Sequence, residues 1–261
     1  DTGDLDRPWE RAQPRTPGGS DGRVRRIVID PGHGGEEDGA EGPSGLLEKD
    51  VVLEVSRRLR LRLERQGYDV TLTRTRDVDV PLDERAAIAN NQEADLFLSV
   101  HANASPSRRA RGAETYFLSL DRGAATRGAE PDNAYLDPMS DDDPLQMILW
   151  DMAQSSWLAQ SSRLAEIIQA DFNEALEIPD RGVKQAPFRV LVGATMPAVL
   201  VEIGFISNPD EEERLRDPDF LNLIVNSLVR SVDAYRDEVR WQHWDGAPSP
   251  AGMPRSDLDR R

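Results

Sequence analysis

The sequence predicts an α/β domain with a largely parallel sheet, and three observations carry that prediction. Runs of strand length, rich in β-branched and aromatic residues, recur at 25–30, 69–74, 95–101, 113–120, 188–192 and 198–202. Segments with apolar residues at helical spacing separate the first three, so strand and helix alternate. The run before His101 is almost wholly apolar, as in a strand buried on both faces. A chain of 261 residues suffices for one large domain, or for one domain carrying an insertion.

The first strand, 25–30, stops at Asp30-Pro31, where Gly32, Gly34 and Gly35 surround His33. A tight loop at the end of a central strand is where open α/β sheets place their ligands. These glycines lack the spacing and the Lys-Ser/Thr of a phosphate-binding loop. Ser44 is expected to cap a helix that carries Glu48 in its first turn and runs to about Gln66, with Val52, Val55, Leu59 and Leu63 facing inward and Gly67 ending it. Its arginines (57, 58, 60, 62 and 65) read as a solvated face. Pro81-Leu82-Asp83 opens a short helix through Asn90. The strand 95–101 closes on His101, and 113–120 is a further strand. A long helix is expected over about 156–176, a connecting loop over 181–187, and a strand over 188–192. An apolar strand at 198–202 ends on Glu202. Asn208-Pro209-Asp210 starts a short acidic helix, and 221–239 is a last amphipathic helix. Residues 1–22 read as a disordered lead-in, 23–240 as the ordered domain and 241–261 as a polar tail.

Composition narrows the function. Asp plus Glu outnumber Lys plus Arg by 48 to 32, a net charge of −16, which excludes nucleic acid as a favoured partner and repels anionic membranes. No apolar run is long enough for a membrane span. The absence of cysteine rules out disulfides and thiolate metal ligands, and suits an oxidising compartment. The first residue is Asp1, so the chain is expected to be processed or cut from a longer precursor.

Two of the chain's three histidines lie at the ends of strand-like runs. Element ends present His33, Glu48, His101 and Glu202. Two imidazoles and a carboxylate suit zinc with an open fourth position, and a second carboxylate outside the ligand set can take a proton from water. Glu48 fits the third ligand and Glu202 the base. Spacing alone is weak evidence here, since the ligands are dispersed and there is no HExxH; each histidine also has a purely structural reading.

The segments IVIDPGHGG (27–35), EKDVVLEV (48–55), LTRTRD (72–77), LDERAAIAN (82–90), DLFLSVHANA (95–104), RGAETYFLS (111–119), RGVKQAPFRVL (181–191) and PAVLVEIGFISNPDEE (197–212) follow one another in order. Together they resemble the catalytic domain of the family-3, zinc-dependent N-acetylmuramoyl-L-alanine amidases, the bacterial cell-wall amidases. The resemblance implies a single domain with a mixed sheet of about six strands wrapped by helices. It implies zinc on His33, Glu48 and His101, a catalytic Glu202, and a substrate contact from Gln185. It implies cleavage of the amide between N-acetylmuramic acid and L-alanine in peptidoglycan, outside the cytoplasmic membrane and most naturally in a periplasm. Another zinc peptidase or deacetylase, or a peptidoglycan-binding module without catalysis, are the competing classes.

One stretch breaks the pattern. Residues 121–157 pass from Gly, Pro and carboxylates to a strongly apolar run. Cell-division members of the family carry a helical insertion here that covers the site, puts a carboxylate on the zinc and is displaced by an activator protein. By that resemblance Glu130 and Asp132 are candidate blocking residues. Leu145, Ile148, Leu149 and Met152, at i, i+3 and i+4 spacing, are candidate docking residues for the activator.

Overall fold

A computed structural model describes residues 23–119, 144–176 and 178–242. Its elements are β1 (Arg26–Pro31), α1 (Glu48–Arg65), β2 (Asp69–Leu72), α2 (Leu82–Asn91), β3 (Leu96–Asn103), β4 (Glu114–Leu118), α3 (Pro144–Ala175), β5 (Val183–Ala186), a 3₁₀ turn (Arg189–Leu191), β6 (Ala198–Phe205), α4 (Pro209–Arg216) and α5 (Pro218–Gln242). The six strands form one sheet in the order β2-β1-β3-β6-β4-β5. Every pairing is parallel except β4 with β6, so the sheet is mixed and mostly parallel, as expected.

Every residue of the central strands β3 and β6 is buried. Apolar side chains on both faces drive this, since a strand covered on both sides gains transfer energy from every residue. One face packs against α1, α3 and α5 through Val52, Val55, Leu59, Leu98, Val100, Leu164, Ile168, Phe172, Val199, Val201, Ile224 and Leu228. The other carries Val28, Phe97, Tyr116, Ala198 and Leu200 beneath α2 and the 3₁₀ turn. Asp95 fixes the start of the sheet by accepting from the amides of Arg25 and Arg26 at 2.8 and 2.9 Å. Asn208 caps α4 by accepting from Asp210 and Glu211, with Pro209 at the first turn.

Five local expectations need correction. Ser44 does not cap α1. Its amide and hydroxyl donate to Glu212, on α4, and the residue before the helix, Leu47, makes no side-chain cap. The segment 183–186 is a strand, not a loop: it is an edge strand made by backbone pairing with β4. Residues 189–191 form a 3₁₀ turn instead of a strand. The long helix begins at Pro144 rather than near Ser156, and the last helix spans Pro218–Gln242 rather than 221–239. The arginines of α1, expected to form a solvated face, bond within their own chain. Arg57 reaches the carbonyl of Thr75, Arg58 pairs with Glu54, and Arg62 donates to Asn222.

Candidate metal centre

Three elements deliver three side chains to one point at the carboxyl end of the central strands. His33 lies on the loop after β1, Glu48 is the first residue of α1, and His101 is near the end of β3. All three are buried. Glu48 lies between the rings: Oε2 is 3.2 Å from His33 Nε2 and Oε1 is 3.0 Å from His101 Nδ1. The rings are edge-to-face, 5.0 Å apart. One ligand atom from each residue falls within 4.8 Å of the others, the only such group of metal-binding residues among those described.

The backbone is shaped around this point. His33 has φ +56°, a left-handed conformation that costs a non-glycine residue energy and clusters at functional sites. Two buried arginines hold it there. Arg85 donates to the carbonyls of Pro31 and His33 at 2.8 and 3.1 Å and to Asp30 at 2.9 Å. Arg74 donates to the carbonyls of Pro31, Gly32 and Lys49 at 3.0, 2.7 and 2.9 Å. Asp77 braces the same loop by accepting from the amide of Gly35 at 2.7 Å. Glycine is required where the loop meets the ligands. A Cβ on Gly39 (φ +68°) would lie 2.7 Å from Glu48 Oε2 and from His33 Cδ2, and one on Gly32 would collide with the His101 ring.

The electrostatics match the donor state a metal needs, deprotonated carboxylate and neutral imidazole. Burial would raise the Glu48 carboxyl, but hydrogen bonds and charge from His101 and His33 hold it far below the carboxylate range. Burial pushes His101 down, against the opposing pull of Glu48. Amides of Ala40 and Ala102, both at 2.9 Å, orient the carboxylate. Two nitrogen donors and an oxygen donor of this kind fit zinc.

Glu202 is the next residue across the sheet. On β6 it is in register with His101 on β3, so both side chains rise from the same face. On its other side it is in register with Glu114 on β4. Sequence reading missed Glu114, although a carboxylate inside the apolar run AETYFL is a signal. Gln185 is not brought to this face. It is in register with Phe117, whose side chain joins the opposite core, whereas Lys184 is in register with Tyr116 on the site face. Glu130 and Asp132 lie outside the described residues, as do the side chains of Leu145, Ile148, Leu149 and Met152, whose backbone forms the first turns of α3.

Residues 27–234 match the family described as N-acetylmuramoyl-L-alanine amidase. The chain belongs to that family. Among its relatives, the N-acetylmuramoyl-L-alanine amidase AmiC of Escherichia coli O6:H1 is 37% identical over 244 residues, which cover 89% of this chain and 58% of that protein. AmiA of E. coli K12 is 36% identical over 223 residues, covering 82% and 77%. Among solved structures, AmiC2 of Nostoc punctiforme superposes with a TM-score of 0.62 at 30% identity, covering 81% of this chain and 96% of that one. The amidase of Clostridium difficile 630 gives 0.66 at 28% identity, covering 82% and 98%. The chain spans less than three-fifths of the AmiC proteins of E. coli and Neisseria meningitidis that it matches. The resemblance read from the sequence motifs is thus a true family relationship, and the buried His33, Glu48 and His101 are the candidate metal site of an amidase domain.

Proposed function

We propose that the protein is a zinc-dependent peptidoglycan amidase that cleaves the bond between the lactyl carbonyl of N-acetylmuramic acid and L-alanine. The observation that carries this reading is the buried His33-Glu48-His101 cluster with Glu202 one strand away on the same face. His33, Glu48 and His101 would hold the metal. Bound there, zinc supplies a Lewis acid and lowers the pKa of water to about 7. Glu202 takes a proton from the attacking water and passes it to the L-alanine nitrogen as the C–N bond breaks, leaving a muramyl carboxylate and a free amine. Its rigid strand keeps the carboxylate in place while the ligands stay on β3, α1 and the β1 loop.

A digest of purified peptidoglycan with the zinc-loaded protein tests the reading. Whole stem peptides with free amino-terminal alanine are expected, with metal analysis showing one zinc per chain. Cleavage within the stem, release of acetate, or binding without release would instead favour the peptidase, deacetylase or binding-module classes. Such a substrate implies a location outside the cytoplasmic membrane, most naturally a periplasm.

The same reading extends to septal cell-wall splitting under autoinhibition. Its support is the acidic-then-apolar stretch between β4 and the body of α3. β4 ends level with the start of β6, and the amide of Ala198 there donates to the hydroxyl of Ser161 on α3 at 3.0 Å. The last described strand before the stretch, β4, therefore finishes at the end of the sheet opposite the metal ligands. Glu130 is 12 residues beyond Leu118, a reach of up to about 40 Å, against about 25 Å for the length of β6. Glu130 or Asp132 can thus return to the zinc ligands, and an activator docking on Leu145, Ile148, Leu149 and Met152 would draw the stretch away. Deleting residues 121–144 should raise basal cleavage; an unchanged rate would remove autoinhibition from the reading.

A further inference from the structure

We propose that Arg181 and Lys184 form a carboxylate-binding subsite beside Glu202. It takes the free α-carboxylate of the acidic residue that follows L-alanine in the stem peptide. The proposal deepens the amidase reading and rests on it.

The subsite is built on Glu114. This carboxylate is buried and faces Glu202 across the β4–β6 ladder, where two like charges would repel each other. Four donors hold it. Lys184 Nζ is 2.8 Å away, Arg181 donates through Nε, Asn103 Nδ2 is 3.2 Å away and the Tyr116 hydroxyl donates as well. Two cations, Arg181 and Lys184, thus stand against the two facing carboxylates, Glu114 and Glu202, in a chain whose net charge is −16.

The cations are presented outward. The side chains of Arg181 and Lys184 are 35% and 33% exposed, whereas that of Glu114 is 2% exposed. Both cations are braced by aromatic rings, the Arg181 guanidinium 4.8 Å from the Phe205 centroid and the Lys184 ammonium 5.6 Å from that of Tyr116. Arg181 spends only Nε on Glu114, so its two terminal nitrogens make no bond among the described residues. A guanidinium with both terminal nitrogens on offer, next to a fixed ammonium, is a fork suited to a carboxylate.

The placement suits the substrate. Facing residues of an antiparallel pair are about 5 Å apart, and Glu114 carries the cations one hydrogen bond further out. A carboxylate borne by the residue after L-alanine lies about 7 Å from the scissile bond along an extended chain. Without the two cations, Glu202 and Glu114 would repel that carboxylate.

The test uses two synthetic muramyl peptides that differ only in this group, free acid in one and carboxamide in the other. The zinc-loaded wild type should prefer the acid by about tenfold or more in kcat/KM, chiefly through KM. Arg181→Gln/Lys184→Gln should bring the ratio of the two substrates close to one, and Lys184→Arg should keep the preference. Because the ratio is taken within one preparation, partial misfolding does not alter it, and Lys184→Gln alone gives the same reading if the double variant is insoluble. Equal wild-type rates on the two peptides, or a ratio unchanged in the glutamine variants, would overturn the subsite alone. Cleavage of neither peptide would overturn the amidase reading and the subsite with it.

Discussion

Replacing Arg85 by Met should destabilise the domain severely, although Arg85 is not a metal ligand. Its guanidinium is 1% exposed and Asp30 is fully buried. Four hydrogen bonds leave it: to Asp30 at 2.9 Å and to the carbonyls of Val80, Pro31 and His33 at 2.9, 2.8 and 3.1 Å. Met fills similar volume, so the change isolates the loss of charge and donors. Asp30 keeps only the hydroxyls of Thr73 and Ser99, at 2.6 and 2.8 Å. Breaking a buried ion pair from one side costs about 3–5 kcal/mol. With a urea m-value of about 3 kcal/mol/M, a loss of 4 kcal/mol lowers the unfolding midpoint by about 1.3 M. Asp30→Asn in the same background should cost less than it does alone, by about 1 kcal/mol, because the two residues share one interaction. The acid limb gives a second check. Burial would raise the Asp30 carboxyl, but Arg85, Thr73, His101 and Ser99 hold it below its ordinary value. A depressed folded pKa contributes stability above the unfolded pKa near 4, lost as pH falls through the folded value. That acid-limb loss should shrink in Arg85→Met. A variant within about 0.5 kcal/mol of the wild type, or costs that add fully, would refute the reasoning.

Other predictions follow from the centre itself. Glu202→Gln should keep the metal and lose about 10²-fold or more in turnover; loss of metal along with activity would make it a ligand. His33→Ala/His101→Ala should bind no stoichiometric zinc, and full occupancy in dialysed protein would remove the ligand assignment. Gly39→Ala pushes a methyl onto Glu48 and His33 and should weaken metal affinity about tenfold or more. Gly67→Ala, also at positive φ but with nothing within 4 Å, should cost about 1 kcal/mol of stability and leave metal affinity alone. Equal metal affinities in the two alanine variants would remove crowding as the reason for glycine at position 39.

The sequence by itself determined the fold class, the order of most elements and the residues at the centre. Apolar strand runs ending on His33, His101 and Glu202 are local features, and a strand that ends on a polar residue announces itself in a few letters. The family motifs are equally local. What only the tertiary structure decided depends on register. Side chains alternate faces along a strand, so a shift of one residue exchanges them. Residues 183–186 carry too few apolar residues to read as a strand, so nothing local says that Lys184, rather than Gln185, shares the face of Glu202. The β4–β6 ladder alone brings Glu114 opposite Glu202. Ser44 has the chemistry of a helix cap but bonds to Glu212, 168 residues away. Arg74 and Arg85 belong to segments that read as a strand and a short helix, with no local sign that the two side chains are buried. They are buried because the loop at His33 turns back on itself and leaves carbonyls that must find donors.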